Sequence, residues 1–217
     1  MMAKVIAAPG PVSYPFIASG KVELVLDKAS SNADAVADSV VSLIRRGLRI
    51  HYGALRGVAA VYPGLDTPIA AWRRGSAFDV LTRALLELYG VKGEVVYYED
   101  FSEGMDLLRS GKVKAIAASS AVVKGVKIED LFKAKGVEMP ASCGISIQNP
   151  EKREEVVNAY LEGIDRLKQD PEGSAERIAS VVQRKKEFVL GMIKSAELVF
   201  QELKDYSAFE TLVRKHL

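Results

Sequence analysis

The sequence is poor in the residues that build disulfides and metal centres. Among 217 residues there are one cysteine, Cys143, and two histidines. No intrachain disulfide can form, and no set of residues has the spacing of a metal site. No Ser/His/Asp set and no glycine-rich phosphate loop with a lysine is present. We therefore predict no metal and no cofactor, and the sequence favours binding over catalysis. For Cys143, a small buried hydrophobic role fits better than a nucleophilic one.

Long apolar runs and a strong charge excess are also missing. No stretch approaches the roughly 18 consecutive apolar residues that a membrane span needs. The 30 basic and 28 acidic residues give a formal net charge of +2, which gives no reason to expect nucleic-acid binding. The start, Met-Met-Ala-Lys, lacks the charged and apolar regions of a secretory signal. If residue 1 is the natural start, we expect a cytoplasmic protein.

Strand-like and helix-like patterns alternate along the chain, which is typical of an α/β protein. Strands are expected at residues 4–8, 22–26, 48–52, 58–62, 68–72, 94–98, 113–118 and 143–147. Helices are expected at residues 11–19, 33–46, 77–89, 102–109, 128–135, 151–168, 171–183, 185–204 and 207–216. Strands that alternate with helices predict mostly parallel sheets with helices on both faces.

The middle third of the chain has a compact βαβαβ pattern of its own, which predicts a second lobe. We expect residues 1–62 and 145–217 to form a discontinuous first lobe with a helical C-terminal part. Residues 63–144 are expected to form the second lobe. A cleft between two lobes is the natural place for a ligand.

Three predicted strands end on the same Ile-Ala-Ala triplet, and each runs into a loop of small or polar residues. The triplets lie at residues 6–8, 69–71 and 116–118. Ligands of open parallel sheets bind beyond the carboxyl ends of the strands, where helix N-termini present unpaired N–H groups to anions. Small residues at strand ends also allow tight turns without any ligand, and the residues alone leave both interpretations open.

Four large side chains lie near these loops and could contact a ligand. Arg73 and Arg74 point to opposite sides of an extended segment, and Arg74, nearer the helix start, is the favoured anion contact. Trp72 either covers the ligand or packs in the core. Tyr14 either stacks on a ligand or packs on its lobe.

The order of motifs resembles type II periplasmic solute-binding proteins, in the branch for sulfonates, nitrate and thiamine precursors. The segments that carry the resemblance are VIAAPGPVSYPF (5–16), TPIAAWRRGSAFDVLTRALLELYG (67–90) and GEVVYYEDFSEGMDLLRSGKVKAIAAS (93–119). It covers about residues 3–165. Because no signal is visible, the chain is most similar to signal-less archaeal proteins of this kind, and a membrane permease is not an expected partner.

The resemblance implies a two-lobed type II periplasmic-binding-protein-like fold that closes on a small polar or anionic ligand. Its ligand contacts, carried over residue by residue, fall on Ser13, Tyr14, Ser31, Asn32, Gly75, Ser76, Ala77, Ser119 and Ser120. The loop chemistry of this chain adds Pro11 and Arg74.

Two other functions remain open on the same fold. One is a cytoplasmic enzyme similar to the chorismate dehydratase of the menaquinone pathway, which would need an acid or base beside its ligand. Glu99 and Asp100 follow a strand end and are candidates. Asp34 and Asp38 on a predicted helix are expected to be solvated, and His51 to be packed or capped. The other function is a ligand-sensing module.

Overall fold

The computed structural model describes residues 1–27, 30 and 32–217. The chain forms two compact units. The first comprises Met1–Arg56 and Ala141–Lys204, and the second comprises Gly57–Pro140 and Asp205–Leu217. The chain therefore passes from one unit to the other three times, whereas the sequence predicted two passages.

The first unit contains a six-stranded sheet. Its strands are β1 (Lys4–Ala7), β2 (Glu23–Val25), β3 (Ala35–Ser39), β4 (Tyr52–Arg56), β10 (Cys143–Ile147) and β11 (Glu197–Glu202). The order across the sheet is β11-β4-β10-β3-β1-β2. β1 is parallel to β2 and β3, whereas β10 is antiparallel to β3 and β4, and β11 is antiparallel to β4.

The second unit contains a five-stranded sheet. Its strands are β5 (Ala59–Tyr62), β6 (Ile69–Trp72), β7 (Val95–Tyr98), β8 (Ala115–Ser119) and β9 (Val126–Lys127), in the order β7-β6-β8-β5-β9. β6 is parallel to β7 and β8, and β5 is antiparallel to β8 and β9. β5 is part of this sheet, so the second unit begins before β5, at Gly57. The sequence had predicted a start after β5, at residue 63.

Nine α-helices accompany the strands in the described part of the chain. They are α1 (Tyr14–Ser19), α2 (Val40–Arg45), α3 (Ala77–Tyr89), α4 (Phe101–Arg109), α5 (Ile128–Lys133), α6 (Arg153–Gln169), α7 (Pro171–Val182), α8 (Lys186–Ser195) and α9 (Ser207–Arg214). The predicted α/β fold class is confirmed. Each sheet is mixed, however, with parallel pairing on one side only, so the expectation of mostly parallel sheets holds for only part of each.

The helix predicted over residues 33–46 is wrong. Residues 35–39 form β3, which lies between β1 and β10 in the sheet, and only α2 is helical. The Ser39 hydroxyl caps this short helix by accepting a hydrogen bond from the Ser42 N–H at 3.1 Å. The apparent helical spacing of Val36, Val40 and Leu43 arose because a buried strand and a helix follow each other directly.

The long helix predicted over residues 185–204 is also wrong in its second half. α8 ends at Ser195, and β11 follows as an edge strand paired with β4. Phe200 of this strand stacks on Tyr52 with ring centroids 4.9 Å apart. Leu198 and Phe200 pack against the core of the first unit. This packing favours a strand, although the spacing of apolar residues in this segment also fits a helix.

Two smaller predictions also needed correction. The strand predicted over residues 48–52 begins later, since β4 starts at Tyr52. The helix predicted over residues 102–109 begins one residue earlier, at Phe101, because the Asp100 carboxylate caps it by accepting the Glu103 N–H at 3.0 Å.

The core of the first unit is built around Tyr160 on α6. Its ring meets Phe16 of α1 edge to face, with centroids 4.8 Å apart. One turn further along α6, Gly163 lies so close to α1 that an added Cβ would overlap the carbonyl oxygen of Pro15. The helices α1 and α6 therefore approach at a distance that only glycine allows.

We expect Ser39→Ala to lower the free energy of unfolding by about 1 kcal/mol, because the first N–H groups of α2 lose their acceptor. Urea denaturation followed by circular dichroism measures the change. Ser39→Asp keeps an acceptor and should restore most of the loss. Equal losses for the two variants would show that the cap does not stabilise this helix.

Candidate functional site

The first set of candidate loops lies at one edge of the sheet in the first unit. β1, β2 and β3 are parallel, so their carboxyl ends lie at the same edge. β10 is antiparallel to β3, with Cys143 opposite Ser39, which brings the start of β10 to this edge as well. Sequence reasoning missed Ser39, because β3 was taken for a helix. The serine immediately before Val40-Val41 was the available signal of a helix start.

The first loop is held by its own backbone. Pro11 opens a short 3-10 helix, Pro11–Ser13, that leads into α1. Ser13 is fully buried, and its hydroxyl donates to the Gly10 carbonyl at 2.8 Å. The hydroxyl therefore closes the turn. It could donate to a ligand only if its hydrogen bond to the Gly10 carbonyl were broken.

Tyr14 packs on its unit, which was one of the two expectations. Its side chain is buried, and burial raises the pKa of the phenol to about 12, against the opposing influence of the Arg184 cation. The phenol is protonated at neutral pH and can only donate or accept neutral hydrogen bonds. Arg184 is exposed and lies within electrostatic range of it.

The segment between β2 and β3, which runs from this edge of the sheet back to the start of β3, contains two predicted contacts. Asn32 is exposed and adopts a left-handed backbone conformation with φ 75°, which asparagine tolerates better than most residues. Its amide side chain is accessible. Ser31, the other predicted contact, lies outside the described residues.

The second set of candidate loops lies at one edge of the sheet in the second unit. β6, β7 and β8 are parallel, so their carboxyl ends bring together the segments 73–76, 99–100 and 119–120. This is the arrangement that the Ile-Ala-Ala strand ends predicted for this part of the chain.

The loop after β6 starts α3 with several local hydrogen bonds. The Ser76 hydroxyl accepts from the Asp79 N–H at 3.2 Å and donates to the Trp72 carbonyl. Gly75, at φ 82°, donates its N–H to the Asp79 carboxylate at 2.7 Å. The Asp79 carboxylate therefore already accepts one of the N–H groups that the sequence assigned to a ligand. Helix geometry leaves the N–H groups of Ala77 and Phe78 without intrahelical partners.

Asp79, which is buried in the first turn of α3, is the centre of a polar network. Both of its oxygens accept from the Arg83 guanidinium at 2.9 Å, and Oδ1 also accepts from the Tyr97 hydroxyl at 2.9 Å. Burial acts to raise the pKa of this carboxyl, but the hydrogen bonds from Arg83, Gly75 and Tyr97 outweigh it and hold the pKa below its ordinary value. The i,i+4 spacing of Asp79 and Arg83 was a signal in the sequence.

The two neighbouring arginines differ in their partners. The Arg73 Nε lies 2.7 Å from a Glu99 carboxylate oxygen, and its guanidinium stacks 4.9 Å from the Trp72 ring centroid. Arg74 instead stacks over Tyr97, at 5.7 Å, and has no carboxylate partner in the described part of the chain. Trp72 is partly exposed and donates its indole N–H to the Glu99 carbonyl at 3.0 Å, so it is not a core residue.

The two serines after β8 have different surroundings. Ser119 is half-buried, and its hydroxyl accepts from the Ala121 N–H at 3.2 Å. Ser120 is buried, and its hydroxyl donates to the Gly57 carbonyl at 2.6 Å. Of this pair, Ser119 is the more accessible to a ligand.

The candidate acids and bases already have structural roles. Asp34 accepts the Lys4 N–H and an Asn149 amide hydrogen, each at 2.8 Å. His51 accepts the Ile147 N–H on Nδ1 at 2.9 Å, and burial is the largest cause that lowers its pKa, in agreement with the expectation of a packed or capped residue. Asp38 is buried in β3, so the expectation of a solvated Asp38 is wrong.

Among the residues that the structure describes, no helix is long and apolar enough to cross a membrane. No group of three or more His, Cys, Asp and Glu side chains within the same residues is arranged to hold a metal ion.

Comparison with known proteins gives a family and a fold. Residues 1–199 match the family described as "Protein of unknown function (DUF3834)". No curated protein sequence matches the chain significantly. A protein provisionally named as a nitrate transport protein from Thermoplasma volcanium is similar in structure, with a TM-score of 0.81 and 20% identity over 98% of this chain and 91% of that one.

Two further solved structures are similar. An ABC transporter structure from Parabacteroides distasonis has a TM-score of 0.71 and 13% identity, over 99% of this chain and 92% of that one. The periplasmic aliphatic sulphonate binding protein of Escherichia coli has a TM-score of 0.68 and 12% identity, over 98% and 85%. At these identities the likeness establishes the type II periplasmic-binding-protein-like fold and leaves the ligand open.

Proposed function

The chain belongs to the family described as protein of unknown function (DUF3834), and from its fold and its strand-end loops we propose that it binds a small polar or anionic solute without turning it over. One observation carries the proposal. In each unit, loops that follow parallel strands gather at a single sheet edge, with small or polar residues and helix N-termini beside them. Proteins of this fold named for nitrate transport and for sulphonate binding support an anionic solute.

The second unit supplies the clearest anion-binding chemistry. The N–H groups of Ala77 and Phe78 lie at the positive end of the α3 macrodipole, which favours a negative charge. The Arg74 guanidinium has no carboxylate partner among the described residues, and its donors that do not face Tyr97 are available to a ligand. The Ser119 hydroxyl can donate while it accepts from the Ala121 N–H.

The candidates for acid–base chemistry support binding over catalysis. Glu99 is paired with Arg73, Asp100 caps α4, and His51 accepts a backbone N–H. An enzyme on this fold would need one of them, or a residue not considered so far, to face the solute with a proton to give or take.

Thermal unfolding in the presence of nitrate, sulfate, ethanesulfonate, taurine and a pyrimidine tests the proposal. A ligand present at about 100 times its Kd stabilises a native protein by about 2.7 kcal/mol, which raises the midpoint of a chain of this length by roughly 5–10 °C. A shift with the compound recovered intact supports solute binding. A shift with the compound consumed supports the enzyme, and no shift with any compound contradicts an anion-binding role.

Two variants test the solute contacts of the second unit. Once a ligand is found, Ser119→Ala should weaken binding about three- to tenfold in calorimetry, since it removes a hydrogen bond. Arg74→Gln should weaken an anion more than a neutral analogue. Arg109→Gln, on the exposed surface of α4, is the control. If neither variant weakens binding more than the control does, the solute does not bind at the strand ends of the second unit.

A further inference from the structure

The outer edge of β7 has backbone groups available for pairing. β7 lies at one end of the sheet in the second unit. On its inner side, the Glu94 and Tyr98 carbonyls accept the N–H groups of Ile69 and Arg73 at 3.0 and 3.2 Å. Successive residues of a strand point their backbone groups to opposite sides. The N–H and C=O groups of Val95 and Tyr97 therefore point away from β6, where no strand pairs with them in the described part of the chain.

A groove runs beside this edge and lies wholly within the second unit. Its volume is 610 Å³, within the usual range of roughly 300–1,000 Å³ for ligand sites. The side chains that matter for its chemistry are Arg74, Arg83, Lys92, Glu94, Tyr97 and His216. Val95 and Tyr97 form the strand side of the groove, and α3 forms its opposite wall with Arg83 and Leu86.

The charges of the groove leave two cations unpaired. The Asp79 carboxylate forms an ion pair with Arg83. Glu87, on the adjoining surface of α3, is paired with Lys215 and His216. Arg74 and Lys92 have no carboxylate within ion-pair distance among the residues described. Glu94 is the one acidic residue in the groove lining, so the groove attracts anions.

The two unpaired cations lie toward opposite ends of β7. Lys92 precedes the strand, and Arg74 stacks on Tyr97 near its carboxyl end. At ~3.3 Å per residue, the strand between them spans roughly 15 Å. A compact anion reaches one of the two cations, whereas an extended chain with acidic residues at alternate positions reaches both and also meets the backbone groups of Val95 and Tyr97.

We propose that the outer edge of β7 binds an acidic peptide segment in extended conformation, as an added strand with alternate carboxylates facing Arg74 and Lys92. Backbone hydrogen bonds supply affinity in this mode of recognition, and the alternate side chains supply specificity. The partner is thus a protein with an exposed segment of alternating acidic residues. The inference goes beyond solute binding and does not depend on it.

Fluorescence anisotropy with labelled peptides tests the proposal on the full chain. The probe is acetyl-Ser-Glu-Val-Glu-Val-Glu-Ser-amide, which places its three carboxylates on one face of a strand. One control has the glutamates consecutive, a second has lysine in place of glutamate, and a third has N-methyl groups on the residues that would pair with β7. We expect each control to bind at least fivefold more weakly than the probe. Equal binding of the N-methylated peptide would overturn strand addition.

A pair of charge variants tests where the peptide lies. Lys92→Glu should weaken the probe about tenfold, because one attraction becomes a repulsion and exposed ion pairs are each worth up to about fivefold in affinity. Lys133→Glu makes the same charge change on α5, away from the groove, and should change the affinity less than twofold. Equal effects of the two variants would show non-specific attraction and would overturn the site.

The same variant separates this inference from the solute proposal. Lys92 is not among the solute contacts, so Lys92→Glu should weaken the peptide and leave the affinity for any solute unchanged. Arg74→Gln should weaken both ligands. Loss of solute binding in Lys92→Glu would mean that groove and solute site are one, and the separate peptide site would be wrong.

Discussion

Replacing Asp79 by alanine is expected to lower the free energy of unfolding by about 3 kcal/mol, the lower end of the usual cost of removing one partner of a buried ion pair, because 32% of the Arg83 side chain is exposed. The Asp79 side chain is fully buried, and it accepts hydrogen bonds from Arg83, Tyr97 and the Gly75 N–H. Its removal leaves the Tyr97 phenol without its acceptor and the Arg83 guanidinium with only the His216 carbonyl. Urea denaturation at pH 7, followed by tryptophan fluorescence, measures the loss.

The pH dependence of this loss is a second readout. The pKa of Asp79 is lower in the folded protein than its ordinary value of 3.8. A depressed pKa means that the carboxylate stabilises the fold fully above the unfolded-state pKa, and that this contribution disappears as the pH falls through the folded-state pKa. The difference in stability between the native sequence and Asp79→Asn should therefore be constant above about pH 5 and shrink below about pH 4.

An exposed pair serves as the control for Asp79. Asp106 and Arg109 are joined at 3.4 Å on the surface of α4, with 75% and 70% of their side chains exposed. Asp106→Ala should cost less than about 0.5 kcal/mol, as exposed pairs do. If Asp79→Ala costs no more than Asp106→Ala, the network around Asp79 does not stabilise the second unit.

Replacing Gly163 by alanine should cost about 3 kcal/mol, at the upper end of what overpacking usually costs. A methyl group at this position overlaps the Pro15 carbonyl oxygen, which belongs to the backbone and cannot rotate away. The helices α1 and α6 would have to separate, and the ring contact between Phe16 and Tyr160 would open with them. Thermal and urea unfolding of the purified variant measure the effect.

Gly64 provides a matched comparison. It lies in the loop between β5 and β6, with no atom within 4 Å of an added Cβ and without a left-handed φ. Gly64→Ala should change stability by less than about 1 kcal/mol and can even stabilise, because alanine restricts the unfolded chain. A loss for Gly163→Ala as small as that for Gly64→Ala would mean that the two helices adjust freely to the methyl group.

The sequence predicted the elements whose signals are local. α3 has a serine cap, an apolar stripe and a terminal glycine, and the structure confirms it with Ser76 and Gly90 at its ends. β3 could not be predicted in this way. Its residues Ala35–Ser39 have no strand-specific alternation, because the strand is buried on both faces, and a short segment without alternation fits a helix equally well.

The candidate site was predictable in its position along the chain but not in its hydrogen bonds. Strand ends followed by small residues mark the loops, and the parallel pairing of β6, β7 and β8 gathers three of them. The sequence did not show that the Ser13 and Ser120 hydroxyls donate to backbone carbonyls. Those partners are fixed by loop geometry and by residues far away in the chain.

The three passages of the chain between its two units set an order for synthesis. The sheet of the first unit needs β10, which lies between β3 and β4, so a nascent chain that has emerged only to Pro140 lacks the centre of that sheet. The second unit has emerged almost entirely by then, but it still lacks α9. In the folded unit, Phe209 of α9 packs on Phe132 with ring centroids 5.4 Å apart. The first unit is complete only once β11 has emerged, and the second only once α9 has emerged, so the two units reach their final form at nearly the same stage of synthesis.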